Sequence, residues 1–137
     1  MSRSGYIDDC EGDEWAQIMW RGQVVSAIRG KRGQAFLMEL LNALEAMPEK
    51  RLIAGELRKD GEVCALGAVG ARRGVDLEAL DVDDYHKIAE VFGVAEPLIR
   101  ELEYENDEAS DWYRKRTPEQ RWQHVHGWAM GKLRPVQ

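Results

Sequence analysis

No stretch of this sequence comes near the ~20 consecutive apolar residues that span a bilayer, and no basic start runs into an apolar segment of the secretory kind. A membrane-spanning chain is therefore not expected, and the reading is a cytoplasmic protein. Cysteine is scarce. Cys10 and Cys64 are the only two, which suits free thiols in a reducing compartment better than a disulfide framework. Internal repeats, low-complexity tracts and linkers rich in Ser, Gly and Pro are also missing. A single helical domain over residues 13–134 is expected, with a flexible acidic segment at 1–12 and a short tail at 135–137.

Patterns that carry chemistry are equally thin. There is no GK[ST] phosphate loop, and the glycine spacing in GAVGARRG (67–74) is not the dinucleotide fingerprint. His124 and His126 stand two apart on a helical pattern, hence about 200° apart, and cannot share a metal from one face. With Cys10, Cys64 and His86 scattered along the chain, no zinc set forms. Cys64 has no recognisable nucleophile context, and no serine, histidine and acid can be grouped into a triad. No catalytic residue, metal or cofactor is expected, and His126 reads as a satisfied core or boundary residue.

What the sequence does hold is apolar mass and segregated charge. Of its 137 residues 44% are hydrophobic, five of them Trp, enough for one core. Charged residues make up 32%, above the ~25% of an average soluble chain. The net charge of −6 hides a sharp asymmetry. Residues 76–111 carry 13 acids against Lys87 and Arg100, a local charge of −11, whereas residues 114–134 carry +5. Residues 20–34 add four basic side chains and no acid. Segregation on this scale sets up a strong local potential.

The periodicities are helical. In GDEWAQIMWRGQVVSAI, with Gly12 or Asp13 as cap, Trp15, Ile18, Met19 and Val25 lie on one side of a helix. Trp20, Val24, Ala27 and Ile28 lie on another. A helix apolar on two sides is either central or covered by a partner, and the central position is the expectation. QAFLMELLNALEAM gives one stripe of Phe36, Leu37, Leu40, Leu41, Leu44 and Met47, ended by Pro48. Residues 50–73 admit two readings: strands LIAGEL and EVCAL joined at the KDG turn, or two helices, which is the preferred one. Gly67 and Gly70 weaken the second of those helices and permit a close neighbour. DVDDYHKIAEVFG and EPLIRELEYEND follow, and the last helix carries Thr117 as cap, Pro118 at its first position and Gln120 at the capping-box position. The fold class is an all-α bundle of about five or six helices, with a small β-hairpin near 50–66 as the variant.

Three motifs bear on partners. HKIAEVFGVAEPLIRELEYEND (86–107) has helix-turn-helix spacing, with Ala89 at the tight contact, Gly93 at the turn, and Ile88, Phe92, Val94, Ile99 and Leu102 buried. Its would-be reading face is Ala95, Glu96, Pro97, Arg100, Glu101 and Tyr104, where a DNA reader needs cations and amides. A structural helix pair is therefore expected, with Glu96, Glu101, Glu103, Glu105 and Asp107 forming an acidic surface beside Trp112. RGKRG (29–33) is the anion or nucleic-acid candidate through Arg29, Lys31 and Arg32. Arg114, Lys115 and Arg116, beside Trp112 and Tyr113, are the second basic candidate, weighed against a loop whose cations pair the acidic helix.

The segments WRGQVVSAIRGKRGQAFLMELLNALEAMPEKRLI, DGEVCALGAVG and YENDE…TPEQRW, in this order, resemble a family of small uncharacterised proteins encoded by tailed phages and prophages of proteobacteria. The resemblance covers nearly the whole chain. It implies a phage accessory product in the bacterial host cytoplasm, and it brings no catalytic residues. The leading expectation is a non-enzymatic interaction protein that binds a host protein with a basic surface, as an inhibitor of a defence or nucleic-acid-handling system, through the acidic helix. The alternative is a nucleic-acid-binding regulator using RGKRG and the basic C-terminal segment.

Overall fold

A computed structural model describes residues 14–108 and 115–134. The expectations for 1–12 and 135–137, and those for Gly12, Asp13, Cys10, Trp112, Tyr113 and Arg114, lie outside the described residues.

The described chain is an all-α bundle of six helices with one small antiparallel hairpin. Helix α1 (Glu14–Arg29) turns at Gly30 directly into α2 (Lys31–Ala46). The stripe expected on α2 is inside: Phe36, Leu37, Leu40, Leu41 and Leu44 are buried. Met47, immediately before Pro48, is extended and ends the helix, as the clash between a proline ring and the preceding residue requires.

The ambiguous stretch divides between its two readings. Residues 50–64 are not helical, because Asp60 (φ 54°) and Gly61 (φ 80°) both sit in the left-handed region and make the tight turn of a hairpin. Strands β1 (Arg58–Lys59) and β2 (Glu62–Val63) flank it, pairing Arg58 with Val63 and Lys59 with Glu62. From Ala65 to Arg73 the helical reading holds as α3, capped by the Cys64 Sγ, which accepts from the Gly67 amide at 3.3 Å. The two glycines of α3 do what close packing needs. A Cβ on Gly67 would collide with the Leu57 carbonyl, and one on Gly70 would sit 2.7 Å from Leu77.

A 3-10 turn (Leu77–Ala79) leads to α4 (Tyr85–Phe92), capped by Asp84, whose Oδ1 accepts from the Lys87 amide at 3.1 Å. Gly93, at φ 72°, makes the turn into α5 (Glu96–Asp107). The helix pair has the expected interior: Ile88, Phe92, Val94, Ile99 and Leu102 are all buried. Helix α6 (Pro118–Lys132) begins with the full reciprocal capping box of Thr117 and Gln120. It runs antiparallel to α2, with Val125 and Ala129 fully buried and the Trp122 indole donating to the Leu44 carbonyl at 3.2 Å.

The buried apolar side chains form one cluster fed by every helix, and α5 stands at its middle, packed by α1, α3, α4 and α6. The central position expected for α1 is therefore a correction. One of its two apolar sides, Trp20, Val24, Ala27 and Ile28, faces the core, and the other is open. The hydrophobic period marks two faces but carries no information about which element occupies the centre. Among the described residues, no helix is long and apolar enough to cross a membrane.

Candidate interaction surface

On the open side of α1, Trp15 is 69% exposed, Ile18 61%, Met19 49% and Val25 44%. At i, i+3, i+4 and i+10 these four share one face of the helix. Single exposed apolar residues are ordinary; four large ones on one helical face, led by a Trp and an Ile, mark an interaction surface. Gly22 interrupts the bulk in the middle of that face. A groove of about 680 Å³ runs along this side, lined by Ile18, Met19, Gly22, Gln23, Ser26 and Ala27 of α1 and by Ala95 and Pro97 at the start of α5. Ala95 and Pro97 belong to the would-be reading face of the helix-turn-helix. That face meets α1 in place of a nucleic-acid groove. Its Arg100 lies over the rings of Tyr85 (4.6 Å) and Trp20 (5.9 Å) and pairs with Glu96 at 3.3 Å.

The acidic surface assigned to α5 needs correction. Glu103 is 1% exposed and Glu105 8%, so neither carboxylate is available to a partner. Glu96, Glu101 and Asp107 are half-buried. The physical reason is position: a helix packed on several sides buries its polar residues along with its apolar ones. Asp107 accepts from the Gly55 amide at 3.3 Å and from Asn106 at 2.6 Å. The open acids of the segment lie earlier, at Asp76, Glu78, Asp81, Asp83, Asp84 and Glu90.

Where the sequence offered an acidic surface, the structure has a polar lock. Asn106, 1% exposed, accepts from the Ala65 amide at 3.0 Å and donates to the Ile53 carbonyl at 2.9 Å. It thereby caps α3 from another helix and holds the segment before the hairpin. Arg116 donates to the carbonyls of Glu105 and Asn106, both at 2.9 Å. Arg121 reaches the Asn106 carbonyl at 3.0 Å and the Leu52 carbonyl at 2.9 Å. Cations at the last carbonyls of a helix complement its dipole, so the pairing of connector and acidic helix holds for Arg116, which is not a free nucleic-acid contact. Lys115 is exposed.

The three histidines go separate ways. His124 meets Glu105 at 2.8 Å, His126 meets Glu45 at 3.0 Å while stacked on Trp122, and His86 meets Glu90 at 3.2 Å. Burial pushes the Glu105 carboxyl above its ordinary range, against the pull of a Glu101 hydrogen bond and of Arg116 and Lys132. Burial and then Arg116 push His124 below its own. Both shifts resist charging, so the short contact is a hydrogen bond between reluctant ions rather than a strong ion pair. Among the described residues, no three His, Cys, Asp or Glu side chains are grouped to hold a metal.

The basic candidates at RGKRG are exposed, and α2 begins at Lys31 with neither an acid in its first turn nor a side-chain cap. Gly33, however, has a packing role: a Cβ there would collide with the Ala27 carbonyl of α1. The Gln34 side chain donates to the Lys132 carbonyl at 3.1 Å and accepts from the Arg134 amide at 2.8 Å. This joins Lys132 and Arg134 to Arg29, Lys31 and Arg32 at one pole. The basic C-terminal segment is accordingly not one patch, because α6 puts roughly 21 Å of helix between Pro118, which follows Lys115 and Arg116, and Lys132.

Ile18, Met19, Trp15 and Val25 were visible in the sequence as a second apolar side. The groove beside them was not, since Ala95 and Pro97 carry no signal beyond the start of a helix. No protein family, curated protein or solved structure matches the chain.

Proposed function

We propose that this chain is a non-enzymatic interaction protein, of the phage accessory kind its motifs resemble, and that its associations are made through the open apolar face of α1. The supporting observation is the exposure of Trp15, Ile18, Met19 and Val25 on one helical face beside a groove. Covering apolar surface contributes on the order of 25 cal/mol per Å², so this face favours association wherever a complementary surface is offered. The host protein with a basic surface is the partner for the acids that remain open, Asp76 to Glu90 in the chain. Exposed charge of this kind speeds encounter and selects among partners more than it adds affinity. The test is Ile18→Lys, alone and with Trp15→Ala, compared with wild type for self-association and for binding to bacterial proteins. Wild type should make at least one association that the variants lose while melting at the same temperature. Variants that keep every association of the wild type would refute the reading.

A nucleic-acid role is the second reading, favoured by the Gln34 bridge that gathers five cations at one pole. Fluorescence anisotropy with single-stranded and duplex DNA and RNA at low salt tests it. Binding that weakens steeply with salt and is lost in Arg29→Ala/Lys31→Ala/Arg32→Ala supports it, and no binding at high micromolar protein removes it.

A further inference from the structure

Resting on the reading of α1 as the association surface, we infer that its groove takes an amphipathic helix of a partner protein, with large apolar side chains along one stripe and acids at the end that lies over Arg29 and Arg32. The first argument is the lining. Of the side chains that line the groove, only those of Gln23 and Ser26 are polar. It offers apolar surface to cover, without the convergent polar groups that orient a small ligand. An extended peptide laid there would set its amides and carbonyls against an apolar wall without partners, whereas a helix satisfies them internally.

The second argument is Gly22. It stands well inside α1, where glycine weakens a helix relative to alanine, yet a Cβ added to it would meet nothing within 4 Å. Gly33, Gly67 and Gly70 each lie close against a neighbour that a side chain would strike. Nothing inside the fold asks the same of Gly22. Its bare Cα instead deepens the groove, together with Ser26 one turn on and the methyl side chains of Ala27 and Ala95. Small residues at i and i+4 let a second helix approach closely, and Ile18 and Met19 supply bulk for its apolar stripe to pack against.

The third argument is charge, which sets the sign of the occupant. Arg29 is exposed and follows Gly22 at i+7 and Ser26 at i+3, so it continues the same face past the groove. From the other side Arg32 reaches the Gly93 carbonyl at 3.5 Å, two residues before Ala95. Lys31, Lys132 and Arg134 stand at the same pole, and α2 begins there with no acid in its first turn. No acid is among the described residues that line the groove, and Glu96 beside it pairs with Arg100 at 3.3 Å. Cations gathered at one end of an apolar groove attract acids on whatever covers it and repel a basic helix. An anionic bilayer answers the same charge, but its smooth surface leaves the hollow unfilled.

Selection on the full chain from a displayed library of random helical peptides tests the inference, at about 15 residues, the length of the face from Trp15 to Arg29. Peptides retained by wild type but not by Gly22→Leu should share apolar residues at i, i+3 or i+4, and i+7, with acids toward one end. A synthetic copy of one of them, followed by fluorescence anisotropy, supplies the numbers. Gly22→Leu should weaken its binding about tenfold or more while raising the melting temperature by about 2–4 °C, since leucine is the better helix former and meets open space. A purely structural role of Gly22 cannot move binding and stability in opposite directions. Arg29→Glu/Arg32→Glu, both exposed sites, should weaken binding about tenfold at low salt. The same peptide with lysines for its acids should prefer that variant to wild type. A library that yields no peptide sensitive to Gly22→Leu, or only peptides without acids, overturns the inference. Vesicles of phosphatidylglycerol and phosphatidylcholine, and sedimentation equilibrium of the chain alone, then separate it from the reading it rests on. Vesicle binding or self-association that Ile18→Lys abolishes leaves α1 as the association surface, with a lipid surface or a second copy as its occupant. Associations indifferent to Ile18→Lys overturn that reading as well.

Discussion

Replacing Asn106 by alanine removes a side chain that ties α5 both to α3 and to the segment before the hairpin. The Ala65 amide, on a fully buried residue, loses its 3.0 Å acceptor, and the half-buried Ile53 carbonyl loses its 2.9 Å donor. A buried amide left without a partner costs about 1–3 kcal/mol, and a half-buried carbonyl adds less, up to about 1. The expected loss is therefore ~2–4 kcal/mol, a large share of the ~5–15 kcal/mol that holds a domain of this size. At roughly 4 °C per kcal/mol the melting temperature should fall by about 8–16 °C. Urea unfolding followed by far-ultraviolet circular dichroism gives the number directly, with an unchanged m-value as the sign that only stability has moved. Asn106→Asp sharpens the experiment. It keeps an acceptor for Ala65 but replaces the amide nitrogen by an oxygen that lies both 2.9 Å from the Ile53 carbonyl and 2.6 Å from an Asp107 carboxylate oxygen. Burial and the neighbouring carboxylate raise that group's folded pKa, so the penalty is present above the folded value and is relieved as pH falls through it. The aspartate variant should be the less stable of the two at neutral pH and should recover on acidification. A loss under ~1 kcal/mol in the alanine variant would mean that Asn106 does not hold these elements together.

Other consequences can be checked in the same way. Gly67→Ala drives a methyl group into the Leu57 carbonyl and should cost about 1–3 kcal/mol in urea unfolding, with the hairpin segment exchanging its amides faster. Glu105→Gln bears on pH. The wild-type carboxyl has a raised folded pKa, so its drag on stability appears as pH rises from its ordinary value near 4.5 through the folded value. The variant should gain stability relative to wild type toward neutral pH, and a relative loss there would contradict the assignment. Glu103→Lys places a cation at a site 1% exposed and should destabilise by ~3–5 kcal/mol, whereas Asp76→Lys on the open surface should stay within about 0.5 kcal/mol in the same assay.

Local rules were legible in the sequence to the extent that they are local. The capping box of Thr117 and Gln120, the stripe of α2 and the Gly93 turn follow from neighbours within a few residues, and each is present. The KDG turn was equally clear, but the helical preference around it was not, because Ala65 begins its helix with help from Asn106, 41 residues away. Charge misled at α5. Five acids in twelve residues read as a solvated face, yet Glu103 and Glu105 are buried once α1, α3, α4 and α6 pack around them. The converse error fell on α1, whose two apolar sides suggested the interior although one of them is open. In both cases the period of the helix is right and the place of the helix in the bundle decides the outcome. The basic pole shows the same limit: the stretches carrying Arg29 and Arg134 are brought to one pole by Gln34, which bonds the Ile28 and Lys132 carbonyls and the Arg134 amide.

The central claim is that the open side of α1 is an association surface, and hydrogen–deuterium exchange as a helical peptide selected on the chain is added tests it most directly. Amides and flanking side chains of α1, from Trp15 to Val25, should become slower to exchange and less accessible as the chain associates, with no change in α3 or in the outer turns of α6. Ile18→Lys should abolish the effect. Association that protects another surface and leaves α1 unchanged would contradict the account.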